Sequence, residues 1–146
     1  MITATIYTKP HLAHWLCHQY GSPVDLPRSC PFRATLLSCL GKDVIAPDGL
    51  IRIEVVVNKN IVSSFGHTIR QDRLGHFSKI LTEDMDRHLY DFVNGCRAMT
   101  IDNAIAYYQE RMGFEERDFA FDNIRRRYFR YKKRIFHASV TKRKAV

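Results

Sequence analysis

The stretch FAFDNIRRRYFRYKKRIF, residues 119–136, decides how the chain is read. Phe121, Ile124, Tyr128, Tyr131 and Ile135 follow one another at steps of three and four. At about 100° per residue these five side chains fall within an arc of about 80°, the stripe a helix buries. Arg126, Arg127, Arg130, Lys133 and Arg134 fill the opposite side. Arg125 and Lys132 stand at the margin of the stripe, with Phe129 near them. A solvated helix face ordinarily mixes signs, because like charges three or four residues apart cost about 0.2–0.5 kcal/mol per pair. Here Arg126, Arg130 and Arg134 succeed one another with no acid between them. Such repulsion is tolerable when a polyanion relieves it. Phosphates do so, and the counterions they release drive binding. Arginine also outnumbers lysine five to two between 125 and 134. Its planar fork suits phosphates and guanine edges better than an ammonium does.

The charge distribution sharpens this. The 146 residues carry 23 basic and 15 acidic groups, a net +8. Residues 118–146 hold ten of the basic groups and two of the acidic ones, so they account for the whole excess. A concentrated patch of this kind attracts polyanions and speeds their encounter. The expected contact set is Arg126, Arg127, Arg130, Lys133 and Arg134, with Lys142, Arg143 and Lys144 adding phosphate contacts from a basic tail. DNA is the expected partner, RNA a possible one, and an acidic protein surface the alternative. The tyrosines and Phe129 can also stack on unpaired bases, although aromatic residues at core spacing more often pack inside.

Upstream of this helix the pattern stays helical back to residue 77. Leu81, Met85, Leu89, Phe92 or Val93, and Cys96 share one face, with Thr82 as the expected cap. Ile101, Ala104, Ile105, Tyr108 and Met112 form the next stripe, opened by Thr100 and stopped by Gly113. Further back, residues 2–7 and 51–57 alternate as strands. Pro10 opens a helix to Tyr20, and Pro31 opens another to Leu40, stopped by Gly41. Residues 61–76 show no period and receive no assignment. The expected fold is α+β and mainly helical. It comprises an N-terminal lobe over 1–76 with two or three short strands and two helices, a three-helix unit over 77–136, and a frayed basic tail over 137–146.

Three consecutive helices, the last one basic and longest, resemble the helix-turn-helix unit of the homeodomain and Myb type over about residues 78–136. That resemblance implies a third helix lying in the major groove, braced by the first two. The third helix here lacks the family's tryptophan and its order of polar contacts, so no base-reading residue is carried over. The connector Gly113–Asp118 also exceeds the usual short turn. The aromatic-rich chain further resembles small proteins of bacterial phages and transposons. In such a regulator or accessory factor the N-terminal lobe can serve to form a homodimer, matching two half-sites.

Other chemistry has weaker support. His11, His14 and His18 share a helix face beside Cys17 at a spacing that can hold zinc, but they need a further ligand such as Cys30 or His67. The expected cofactor is none, with a metal-dependent enzyme kept as a third reading. Glu83-Asp84-Asp86 and Glu115-Glu116-Asp118 lie near expected helix starts, where acids suit the dipole. No glycine-rich phosphate loop or nucleophile elbow occurs, and no catalytic residue is assigned. Cys17, Cys30, Cys39 and Cys96 form no Cys-x-x-Cys pair and read as reduced thiols. No apolar run approaches the roughly 20 residues of a membrane span, and the N-terminus lacks the pattern of a signal peptide. A cytoplasmic location is the expectation.

Overall fold

The computed structural model describes residues 1–144 apart from Ala46, and for 141–144 the backbone alone. The fold is α+β and mainly helical. Two compact units divide the chain after Asp84.

In the first unit, strands β1 (Thr3–Thr8) and β3 (Ile51–Val56) pair antiparallel, and the short strands β2 (Leu40–Gly41) and β4 (Thr68–Ile69) complete a sheet of order β2-β4-β1-β3. The register places Ala4 opposite Val55 and Ile6 opposite Ile53. All four are at most 5% exposed, so alternation has sorted one face into the core. Helix α1 (Pro10–Tyr20) packs on β1 and β3 and buries Leu12, Ala13, Trp15 and Leu16. Pro10 occupies its first turn, where the missing N–H costs nothing. On the other face Glu54 accepts hydrogen bonds from Thr3 Oγ1 at 2.8 Å and Thr5 Oγ1 at 3.0 Å, and pairs with Arg52 at 2.9 Å. Burial raises the Glu54 carboxyl's pKa, but those three partners together draw it below its usual value.

The sequence pattern misplaces several elements here. Helix α2 covers only Arg33–Ser38, and Gly41 lies in β2 instead of stopping it. The Cys39 carbonyl accepts the Arg70 amide at 2.8 Å, and the Gly41 carbonyl accepts the His67 amide at 3.0 Å. Pairing with β4 therefore claims the backbone that a longer helix would use. The unassigned segment 61–76 folds into most of α3 (Lys59–Ser64), β4, a 3-10 turn over Gln71–Arg73, and the start of α4 (Leu74–Gly95). Asn58 caps α3 by accepting the Ile61 amide at 2.9 Å. Ile61 and Val62 then pack on a small cluster of Ala4, Leu40 and Val57. Thr82 is an interior residue of α4, and its hydroxyl donates back to the Ser78 carbonyl at 2.7 Å. Glu83, Asp84 and Asp86 consequently lie outside that helix's first turn.

The second unit begins at Met85, partway along α4, where the sequence pattern put a boundary at 76/77. Helix α5 (Ile101–Arg111) starts at Thr100, whose hydroxyl accepts the Asn103 amide at 3.2 Å, and Gly113 ends the turn beyond it at φ 71°. Helix α6 runs from Phe121 to Lys144. The span expected to be a tail after 136 thus continues the helix, and no proline or glycine occurs there to end it. Met85, Leu89, Val93, Ala104, Ile105, Tyr108, Ile124 and Tyr128 are all at most 5% exposed and form this unit's core. Each of the larger aliphatic side chains among them contributes about 1.5–3 kcal/mol by burial. Among the described residues no helix is long and apolar enough to cross a membrane.

Gly66 is the most crowded glycine of the first unit. Its φ is 121°, and a Cβ there would collide with the Gly41 carbonyl. Gly66→Ala is expected to destabilise this unit by at least about 2 kcal/mol, combining an unfavourable φ with displacement of a strand. Urea unfolding followed by circular dichroism measures it. Wild-type stability in this variant would show that the β2–β4 connection can shift freely.

Candidate nucleic-acid interface on the C-terminal helix

The placement of α6 begins with its connector. Residues 112–120 link α5 to α6, and Phe114 and Phe119 within them are buried, 5.1 Å apart in an edge-to-face contact. The Glu116 carboxylate accepts the Phe121 amide at 3.1 Å and the Gln109 side-chain amide at 2.7 Å. The Gln109 bond, and then the Phe121 amide, hold that carboxyl below its usual pKa. Gln109 also donates to the Phe119 carbonyl at 3.0 Å. The start of α6 is therefore tied to α5 by a polar clasp. This structured connector of nine residues is longer than the short turn of a helix-turn-helix.

The apolar stripe is where periodicity puts it. Ile124 and Tyr128 are buried, and Phe121, Tyr131 and Ile135 are half-buried. Tyr128 stacks on Tyr90 at 5.7 Å and donates to Asn94 Oδ1 at 3.1 Å. Tyr131 meets Tyr90 at 5.3 Å. These contacts fix the rotation of α6 about its axis and so decide which cations face outward.

Arg126, Arg130, Lys133 and Arg134 are exposed, as their side of the helix requires. The Arg134 guanidinium lies 5.0 Å from the Tyr131 ring centroid. Arg127 departs from the expected set. Its Nε donates to Asp86 Oδ1 at 3.0 Å, with side-chain exposures of 24% and 15%. At about −100° from Tyr128 on the helical wheel, Arg127 borders the buried stripe and turns toward α4. It forms an ion pair with α4, unlike the four exposed cations. Lys142, Arg143 and Lys144 have their backbones in α6, and their side chains lie outside the described residues.

The helix is not free of acidic neighbours, as its own sequence suggests. Asp86 feels Arg127, Arg134 and Arg130 together. Burial nonetheless dominates and leaves the Asp86 carboxyl above its usual pKa, against the pull of those three cations. On the other margin Arg125 pairs with Asp102 at 2.8 Å. Both partners there are about half exposed, so the pair contributes little stability. Arg125 also sits over the Phe129 ring at 4.8 Å. Asp122, Arg125, Arg126 and Phe129 line an open recess on this flank. Asp86, Asp102, Asp122 and Phe129 are missing from the sequence-derived site. The off-stripe position of Phe129 was the one available signal. The two ion pairs span 23 and 41 residues, beyond any local pattern.

His11, His14 and His18 lie together on α1, of which His14 and His18 are exposed. Among the described residues no three His, Cys, Asp or Glu side chains form a group able to hold a metal ion. No protein-family model, curated protein or solved structure matches the chain.

Asp86→Ala strands a half-buried guanidinium and is expected to cost about 1–3 kcal/mol. Combining it with Arg127→Met recovers much of that loss. A double-mutant cycle in denaturant measures both, and simple additivity would show that the pair contributes nothing. The raised Asp86 carboxyl adds a pH signature. A carboxyl with a higher pKa in the folded state favours folding when protonated. Its contribution is fully present below its unfolded pKa of about 3.9 and is lost as pH rises through the folded value. The stability of wild type relative to Asp86→Asn should therefore increase from pH 7 toward pH 4, and a decrease would reverse the sign assigned to Asp86.

Proposed function

We propose that the chain binds nucleic acid, duplex DNA above all, through the solvent side of α6, as a cytoplasmic regulator or accessory factor. The supporting observation is the exposed set Arg126, Arg130, Lys133 and Arg134 on a helix whose rotation is fixed by buried tyrosines. The exposed cations exceed the acids beside them. Asp86 is engaged by Arg127 and Asp102 by Arg125, which leaves the other guanidinium and ammonium groups as surplus charge. A helix of 24 residues extends about 36 Å and with its side chains is about 10–12 Å across, dimensions compatible with a major groove about 12 Å wide. The reading requires only this helix and its orientation, and does not require the short turn of a helix-turn-helix. Four free cysteines suit a reducing compartment.

Binding of a blunt duplex should weaken about a hundredfold to a thousandfold between about 50 and about 200 mM salt, as expected for some four to six neutralised phosphates. Arg126→Glu/Arg130→Glu should reduce the slope of log K against log salt by about two and leave the thermal unfolding curve nearly unchanged. Arg127→Glu should instead lower the unfolding midpoint, because it faces Asp86. Fluorescence anisotropy with a labelled duplex measures the binding. A native chain that ignores both duplex and single-stranded DNA at low salt would assign the cationic side to an acidic protein instead.

A further inference from the structure

The flank of α6 between its buried stripe and its most exposed cations has an order of its own. Asp122, Phe129 and Phe136 recur every seven residues and fall in one column along the helix. Arg125 and Lys132 run beside that column on the core side, and Arg126 and Lys133 on the solvent side, each pair also seven residues apart. Phe136 is 64% exposed, an unusual state for so large an apolar ring. Phe129 is half-buried and lines the open recess with Asp122, Arg125 and Arg126. Phe129 leans one edge on the buried Tyr128 at 5.2 Å, whereas the stripe that is fully buried is formed by other residues.

We propose that this flank is a stacking platform for unpaired nucleobases, so that the preferred ligand is DNA carrying a single-stranded stretch. The proposal rests on the reading of α6 as a nucleic-acid surface and narrows its substrate. Aromatic rings between tracks of cations are the composition that single strands need, because bases stack on the rings while phosphates run along the charges. The Arg125 guanidinium already lies over the Phe129 ring, and a guanidinium plane is itself a stacking surface. The recess separates base from phosphate chemistry. Asp122 repels a phosphate there, whereas its carboxylate can accept from an exocyclic amino group. Phe129 and Phe136 are about 10.5 Å apart along the axis. A second copy of α6 is a poor occupant of the same flank, because it would set two tracks of like charge against each other.

The test compares a single-stranded oligonucleotide with a blunt duplex of the same sequence, for the native chain and for Phe129→Leu/Phe136→Ala. Leucine keeps the apolar bulk of the half-buried position and removes its π face, and Phe136 is too exposed for its loss to unfold the helix; circular dichroism checks both points. The double variant is expected to bind the single strand at least about tenfold more weakly, with an unchanged salt slope and unchanged duplex affinity. Equal losses for both forms, or no loss for the single strand, overturn the stacking platform, while salt-dependent duplex binding by the native chain still supports the nucleic-acid reading of α6. A native chain that binds neither form overturns the nucleic-acid reading of α6 and the platform with it.

Discussion

A helix that carries Arg125, Arg126, Arg127, Arg130, Lys132, Lys133 and Arg134 within ten positions repels itself, and the second unit is arranged around that fact. Each like-charged neighbour costs a few tenths of a kcal/mol. Two means of containing the cost are visible. One is burial of the Ile124 and Tyr128 side of the helix, whose apolar area outweighs several such repulsions. The other is a pair of acids supplied by α4 and α5, one at each margin of the stripe. Asp86 meets Arg127 and Asp102 meets Arg125, so one cation at each margin of the stripe is neutralised. Repulsion among the outward cations is left standing, and that remaining charge is available to a ligand.

The two margins differ in kind. At the Asp86 margin the carboxylate is largely buried, and its desolvation exceeds the attraction of three arginines. An ion pair of that sort contributes more to geometry than to net stability, since it holds Arg127 in place and, with the Tyr90 contacts, sets the rotation of α6. At the Asp102 margin the pair is open to solvent, and Arg125 divides its guanidinium between a carboxylate and the Phe129 ring. Solvent screening leaves that arrangement loose enough to be exchanged for a ligand's phosphate or base.

Residues whose partners are close in sequence were legible without a structure. Pro10 opens α1, Thr100 caps α5, Gly113 closes it, and the 3-4-3-4 spacing from Phe121 to Ile135 locates the buried side of α6. Gly41 and Thr82 misled for a common reason. Both have the chemistry of helix ends, but β4 claims the backbone around Gly41, and Thr82 satisfies its hydroxyl within the helix. The segment 61–76 has no period because it contains most of α3, two shorter elements and only the first three residues of α4, each piece shorter than the window that reveals a repeat. Of the site, the exposed cations could be read from the helical wheel. The demotion of Arg127 could not, because Asp86 lies 41 residues away on another helix.

These two kinds of legibility bear on what α6 can recognise. Charge alone would attract any polyanion and would carry no information about its form. Selectivity has to come from groups that charge does not dictate, and under the proposed stacking platform those are Asp122, Phe129 and Phe136. Phe129 meets the buried Tyr128 edge-on at 5.2 Å, but Phe136 adds nothing to the core and is left mostly in solvent. An exposed phenyl ring on an otherwise cationic surface is a standing hydrophobic cost, and a flat apolar ligand that also bears phosphate removes it while meeting the flanking cations. A nucleobase with its own phosphate has both properties in one unit, so a single-stranded stretch beside a duplex would engage this flank while the outward cations meet the duplex backbone.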